Sequence, residues 1–232
     1  MLKYITSFLL LSSIAMLGQV SMEAQDSIPS PKHQKYGIRV GIDLSKPFHS
    51  IFDNQDKGIE ITADYRIKPN LFIAAEMGAT DRTSQEDYFN FTTKGAYIKA
   101  GINFNAYKNW LDMQNEIFVG LRYGFSSFSH TINSITPNQH GSYFSGEAIT
   151  SPIDFDNLSA HWAEFIFGIK AEAFNNLFIG FSVSLKGVIS QTSPENFKNI
   201  YIPGVNAVNL NNNGVGFNYT LSYLIPFTKK NK

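Results

Sequence analysis

Apolar and polar residues alternate with a period of two through most of the chain after residue 36, as in β-strands whose two faces meet different surroundings. Each alternating segment has nine to thirteen residues, the length that a tilted strand needs to cross a hydrocarbon layer. The pattern predicts eight strands, which are Tyr36–Ser45, Lys57–Ile67, Leu71–Ala79, Gly95–Phe104, Glu116–Ser126, Ala163–Ala173, Leu177–Leu185 and Val215–Phe227.

One face of these strands is apolar, and the other carries charges and glycines. Six cations and six anions stand on the polar face, which suits ion pairs in an enclosed interior. The glycines on that face would relieve crowding in a barrel just wide enough for side chains to meet. We therefore expect the polar face inside and the apolar face outside. The predicted barrel-interior charge network is Arg39, Asp43, Glu60, Asp64, Arg66, Glu76, Lys99, Arg122, Glu164, Lys170, Glu172 and Lys186.

The connections alternate between short and long. Lys68–Asn70 and Asn175–Asn176 read as tight turns, and Tyr107–Asn115 is moderately short. The four connections at the other end are longer, namely Lys46–Asp56, Thr80–Lys94, Ser127–His161 and Ser190–Gly214. Short turns at one end and long loops at the other are typical of outer-membrane barrels. The sequence thus predicts an all-β fold, an eight-stranded antiparallel up-and-down transmembrane β-barrel.

Aromatic residues fit two girdles, because amphipathic rings prefer the headgroup level of a membrane. We expect seven of them at the short-turn end and four at the long-loop end, respectively Tyr65, Phe104, Tyr107, Trp110, Phe174, Tyr223 and Phe227, and Phe125, Phe128, Trp162 and Phe165. Inside the barrel, Phe72, Tyr97, Phe118 and Phe178 would pack among the charges.

The N-terminus reads as an export signal. Met1–Lys3 is positive, and the apolar run Ile5–Leu17 has 13 residues, too few to span a bilayer as a helix. We therefore predict a cleaved signal peptide at 1–24, a flexible leader at 25–35, the barrel at 36–227 and a short basic periplasmic tail at 228–232. The expected location is the outer membrane of a Gram-negative bacterium.

Several motifs resemble an uncharacterised family of small outer-membrane β-barrels from Bacteroidota, described as a domain of unknown function. The motifs are residues 36–47 (YGIRVGIDLSKP), 90–99 (NFTTKGAYIK), 119–125 (VGLRYGF), 158–162 (LSAHW), 174–178 (FNNLF), 201–204 (YIPG) and 214–220 (GVGFNYT). The resemblance covers nearly all of the mature chain. It implies the barrel fold and the outer-membrane location, but no catalytic or binding residue.

Composition removes several classes of function. With 19 Lys+Arg against 19 Asp+Glu the chain is neutral, which argues against nucleic acid as a partner. The absence of cysteine excludes disulfides, thiolate metal sites and a cysteine nucleophile. An apolar fraction of 43% excludes a disordered chain. We expect no cofactor, and a monomer.

The five histidines offer little chemistry. They are scattered without metal-ligand spacing, so we expect no metal site. His130 and His140 read as exposed loop residues, and His161 as part of the outer rim beside Trp162. The pairs His140–Ser142 and Ser129–His130 leave open a lipid-modifying enzyme with a Ser/His pair.

The preferred interpretation is a non-enzymatic outer-membrane barrel with a structural or surface-interaction role. Its expected partners are outer-membrane lipids, the barrel-assembly machinery during biogenesis, and an extracellular protein or glycan at the long loops. Three alternatives stay open. They are the lipid-modifying enzyme, a narrow channel through the interior, and a periplasmic lipocalin-like carrier with its apolar face inward.

Overall fold

Ten β-strands and one helix make up the part of the chain that the structure describes, residues 33–52, 56–85, 89–108, 113–136, 151–194, 198–208 and 211–231. In this computed structural model the strands are β1 (His33–Asp43), β2 (Asp56–Lys68), β3 (Leu71–Gln85), β4 (Phe89–Asn105), β5 (Glu116–Ile135), β6 (Ile153–Phe174), β7 (Leu177–Gln191), β8 (Tyr201–Ile202), β9 (Asn206–Ala207) and β10 (Asn213–Asn231). Helix α1 spans Ser45–Phe52. Among these residues, no helix is long and apolar enough to cross a membrane.

Eight of the strands close into a ring in the order β1-β10-β7-β6-β5-β4-β3-β2. Each neighbouring pair is antiparallel, and β1 pairs with both β2 and β10, which closes the ring. β8 and β9 form a separate two-stranded hairpin between β7 and β10. The predicted all-β, eight-stranded antiparallel up-and-down barrel is confirmed.

The two ends of the barrel differ. The β2–β3 and β6–β7 connections have two residues each, 69–70 and 175–176, and we call this the short-turn end. Asn176 adopts φ 66°, a left-handed conformation that asparagine tolerates. The opposite end, where α1 and the β8–β9 hairpin lie between strands, is the long-loop end.

Apolar side chains cover the outer face of the ring. Leu121 is 57% exposed, Leu185 59% and Val215 63%, whereas such side chains are buried in the core of a water-soluble protein. We define the apolar belt by the outward residues within 38–42, 59–67, 71–79, 96–104, 117–125, 163–173, 177–185 and 215–227. The interior is the polar face, as the alternation predicted.

Strands β3 to β6 continue beyond the belt at the long-loop end, and there the alternation inverts. In β5, Leu121 and Phe125 are exposed outward, whereas Phe128 and Ile132 are buried inward and Thr131 shares the outer face. The four strand extensions cover residues 80–85, 89–95, 126–135 and 153–162. The predicted long loops Thr80–Lys94 and Ser127–His161 are therefore wrong over these residues, because a strand with its apolar side inward continues where a loop was expected.

A segment of the β7–β10 connection closes the long-loop end from inside. Residues 198–208, here called the plug segment, include the β8–β9 hairpin, and Ile202 and Val205 are fully buried. They belong to an apolar cluster with Tyr97, Phe128, Leu158, Ala160 and Trp162. The inverted strand extensions thus supply the walls of a small hydrophobic core.

Two of the aromatics expected at the outer rim lie in this core instead. Trp162 is 0% exposed and Phe128 is 4% exposed. Trp162 shares the strand parity of Glu164, and Phe128 that of Ser126, so both face inward. The position of these two residues along their strands predicts a girdle. The alternation of successive side chains between the two faces of a strand determines which face each one lies on, and it places both inside.

The end strands are longer than the sequence predicted. β1 begins at His33, inside the expected leader 25–35, and β10 ends at Asn231, inside the expected tail 228–232. β1 and β10 pair with each other from His33, which lies opposite Asn231, to Asp43, which lies opposite Thr220. The Lys35 ammonium also binds Glu172, Asn175 and Asn176 at the short-turn end, which holds this part of β1 on the barrel. The predicted signal peptide at 1–24 lies outside the described residues.

Interior glycines make room for the large side chains. A Cβ at Gly124 would lie 2.2 Å from the Trp162 indole, whereas a Cβ at Gly187 would meet nothing closer than 3.8 Å. We therefore expect Gly124→Ala to lower the free energy of unfolding by about 1–3 kcal/mol through overpacking. Gly187→Ala is the matched control and should leave it nearly unchanged. Chemical unfolding in detergent measures both, and equal effects would contradict this packing.

Candidate functional site

The candidate functional site is the barrel interior. The structure places all twelve residues of the predicted charge network on the inner face, nine of them buried and Glu76, Lys170 and Glu172 half-buried. It brings most of them together in ion pairs arranged along the barrel axis. Asp43 and Arg66 differ from the others.

The group nearest the short-turn end is centred on Arg39 and Asp64. The Arg39 guanidinium binds Asp64 at 2.8 Å and Glu116 at 2.7 Å, and Lys170 binds the other oxygen of Asp64. The guanidinium also stands over the Phe178 ring, 4.7 Å from its centroid. Two cations therefore neutralise two buried carboxylates.

A second group lies farther along the axis. The Lys99 ammonium contacts both Glu60, at 3.3 Å, and Glu76, and Arg122 binds Glu76 at 3.1 Å. The Tyr97 hydroxyl donates a hydrogen bond to Glu60. Two cations again face two carboxylates, and this group also has no net charge.

Single pairs complete the network at both ends. Lys186 lies 3.8 Å from Glu164 near the long-loop end, and its ammonium donates to the plug segment at the Gly204 carbonyl, at 2.7 Å. At the short-turn end Glu172 binds Lys35 at 2.9 Å.

Asp43 and Arg66 have no ion pair within the described part of the chain. Asp43 accepts hydrogen bonds from the backbone amide and hydroxyl of Ser45, the first residue of α1, and from Asn218. Arg66 donates to Gln114 and stands over the Phe72 ring. The expectation of simple cation–carboxylate pairing is wrong for these two, because amides and a ring take the place of the opposite charge.

Three further residues take part in the interior network beyond the predicted twelve. Glu116 is 1% exposed and binds Arg39. Its parity with Arg122 in the same strand could have revealed it. Lys35 lies in the predicted leader. Asn218 donates to both Asp43 and Glu60, but a neutral amide is not part of a pattern of charges.

His130 is a buried residue of β5, not the exposed loop residue that the sequence suggested. Its exposure is 1%. Nε2 lies 3.2 Å from the Asn199 amide oxygen, and Nδ1 lies 2.7 Å from the Thr93 hydroxyl. The Asn199 amide nitrogen donates to Gln191 and to the Thr192 carbonyl, which fixes its oxygen toward His130. A neutral imidazole that donates from Nε2 and accepts at Nδ1 satisfies all of these groups.

Burial lowers the pKa of His130 to about 4, and the hydrogen bond to Asn199 opposes this only in part. His130 lies beyond the apolar belt and links the strand extension of β5 to the plug segment. Lys46 makes a second link there, with its ammonium 3.1 Å from the Asn206 amide oxygen.

The interior contains a small cavity with a mixed polar and apolar lining. This cavity, of about 40 Å³, lies among the charged residues, including Glu60, Glu76 and Arg122. This volume holds a few water molecules but no organic ligand. No group of three or more His, Asp or Glu in the described residues could hold a metal ion.

The structure describes only one of the two Ser/His pairs that the sequence offers. His140 and Ser142 lie outside the described residues. Ser129 is on the outer face of β5 while His130 points inward to Thr93 and Asn199, so these two side chains lie on opposite faces of the strand. A catalytic Ser129–His130 pair is therefore wrong. His161 is on the outer face and meets the Tyr123 hydroxyl at 3.0 Å.

Comparison with known proteins gives a family and a structural likeness to solved proteins. A family model described as a domain of unknown function, DUF6048, matches residues 1–230. No curated protein matches the chain. Among solved structures the chain is similar to Ail, the attachment invasion locus protein of Yersinia pestis, with 10% identity over 84% of this chain and 99% of that chain and a TM-score of 0.42. A likeness of that degree identifies no site or function.

The Arg39 guanidinium contacts two buried carboxylates, Asp64 and Glu116. We expect Arg39→Gln to lower the free energy of unfolding by about 3–5 kcal/mol, because it leaves Glu116 buried without its ion-pair partner. Lys94→Gln breaks an exposed pair with Asp81 and should cost no more than about 1 kcal/mol. Unfolding midpoints in detergent distinguish the two, and equal costs would indicate a hydrated interior.

The depressed pKa of His130 predicts a dependence on pH. Because the folded protein binds this proton more weakly than the unfolded chain, stability is complete above about pH 6.5 and falls as the pH drops toward 4. The loss should reach about 3 kcal/mol and be absent in His130→Gln. Hydrogen exchange of residues 198–208 across this range measures it, and equal profiles for the two proteins would refute the assignment.

Proposed function

This chain belongs to the DUF6048 family, a domain of unknown function, and from that premise we propose that it is an outer-membrane β-barrel with a sealed interior and a structural or surface-interaction role rather than an enzymatic one. The long-loop end faces the outside of the cell. This extends the barrel fold to a location and a role.

The observation that carries the proposal is the inversion of the apolar face along β5. Ile117, Leu121, Tyr123 and Phe125 are exposed on the outer face, whereas Phe128 and Ile132, farther along the strand, are buried on the inner face. A strand surrounded by one solvent has no reason to change its apolar side. A strand that leaves hydrocarbon and enters water must do so, since each medium takes the side chains that suit it.

The sealed interior supports a structural role. Charges are paired along the axis, and the plug segment fills the long-loop end with Ile202 and Val205. A narrow channel needs a hydrated path, and the cavity of about 40 Å³ does not provide one. A lipocalin-like carrier needs an apolar interior, whereas here the apolar side chains of the eight-stranded wall are on the outside.

Reconstitution of the purified chain into phosphatidylcholine vesicles loaded with potassium tests the proposal. We expect the chain to float with the vesicles in a density gradient and the vesicles to retain their potassium. A chain that stays in solution without detergent would refute the membrane location. A chain that inserts and releases potassium would refute the sealed interior.

Two arginine substitutions on the outer face of β5 serve as matched variants in the same vesicles. Leu121→Arg lies at the middle of the apolar belt and should cost about 2–4 kcal/mol of folding free energy. Ser129→Arg lies on the same face beyond the belt, where water is available, and should cost little. The reverse order would place the membrane elsewhere on the barrel.

A further inference from the structure

The outer face of β2 to β6 changes composition row by row toward the long-loop end. Cross-strand partners form these rows, and successive outward rows are about 6.6 Å apart along the strands. Ile59, Ala79, Ala96 and Ser127 form the last row at the belt edge. Lys57, Asp81, Lys94 and Ser129 form the next row, and Thr83, Thr92, Thr131 and Asp154 the one above it.

The first of these polar rows carries an excess of positive charge. Lys94 and Asp81 form an exposed pair at 3.1 Å, with 64% and 47% of their side chains accessible. Lys57, the cross-strand neighbour of Asp81 on β2, is also exposed, and it forms no ion pair among the described residues. One ammonium therefore stands free beside a paired one, directly above the apolar belt.

The second row offers hydroxyl, amide and carboxylate groups at regular spacing. The Thr83 and Thr92 hydroxyls lie 2.9 Å apart, the Asn133 amide donates to Thr92 at 2.9 Å, and Thr131 donates to Asp154 at 2.7 Å. These hydrogen bonds hold the side chains in a flat array with neighbouring strands about 4.8 Å apart. Mixed donors and acceptors at such spacing suit the hydroxyl groups of sugar rings.

From this order we propose that the outer face of β2 to β5 beyond the belt binds the head group of a phosphorylated glycolipid of the surrounding leaflet. The acyl chains lie against the apolar belt, Lys57 and Lys94 contact the phosphate, and the threonine row contacts the sugars. The inference rests on the proposed membrane location, and it adds a lipid class and a binding face to it.

The chemistry of the face favours this occupant over a phospholipid. A phospholipid head group would use the lysines but would make no contact with the threonine row. A neutral glycolipid would use the threonine row but would leave the Lys57 charge without a counter-charge. Only a head group with both phosphate and sugars matches both rows.

Competition in detergent with three lipids tests the proposal. The full chain is titrated with lipid A, a phosphorylated glucosamine disaccharide lipid, with phosphatidylglycerol, and with a neutral galactosyl diacylglycerol, and bound lipid is counted by native mass spectrometry. We expect lipid A to bind at least tenfold more tightly than either of the others. Equal binding of lipid A and phosphatidylglycerol would overturn the proposal.

Variants assign the two rows separately. Lys57→Gln should weaken lipid A and phosphatidylglycerol by about fivefold each, the value of one lysine near an anionic surface. The double change Thr92→Val and Thr131→Val should weaken lipid A alone. Lys68→Gln, an exposed lysine at the opposite end of the same strand, is the control and should leave the preference for lipid A unchanged.

Failure of the proposed membrane location is distinguishable from failure of this inference. A chain that does not insert into the phosphatidylcholine vesicles refutes both. A chain that inserts, with variants that keep wild-type lipid A binding, overturns the lipid site alone. Circular dichroism of each variant establishes that it is folded.

Discussion

In a closed ring of eight strands each side chain points either into the interior or to the outer face. The medium outside the ring determines which of these two faces must be polar. The hydrogen-bonding groups of the backbone are satisfied by pairing around the ring, so strand geometry alone does not determine which face is polar. Along β5 the choice changes once, between Phe125 and Phe128. The position of the belt, the charged interior and the hydrophobic plug all follow from that change.

Between the short-turn end and this change, the interior contains charged groups that have little access to solvent. Isolated buried charges are costly, and the cost falls only when partners and hydrogen bonds are complete. The structure meets this condition in more than one way. Arg39 holds two carboxylates and lies against Phe178. Asp43 has no cation partner among the described residues and is held instead by the amide and hydroxyl of Ser45 and by Asn218. The charges of the interior are thus satisfied by hydrogen bonds and ring contacts as well as by ion pairs between cations and carboxylates.

Period-two alternation was enough to predict the eight strands, their order and the inner face of all twelve charged residues. It failed beyond the belt, where the expected pattern of apolar outside and polar inside no longer applied. Thr92, Thr131 and His130 fall within the predicted long loops Thr80–Lys94 and Ser127–His161, although the two threonines lie on the outer face of continuing strands and the histidine is buried inside. The plug segment could not be predicted at all, since Ile202 and Val205 gain their burial from strands far away in the sequence.

Two aromatic residues join the polar interior to the hydrophobic core above it. The Trp162 ring packs in the core while its Nε1 donates to Glu164 at 2.7 Å, and Tyr97 packs beside it while its hydroxyl donates to Glu60. Displacing the plug segment would expose both rings and loosen the donors of two buried carboxylates. Opening at the long-loop end is therefore coupled to the charge network, because the same two side chains take part in both. A barrel built in this way resists opening at its long-loop end.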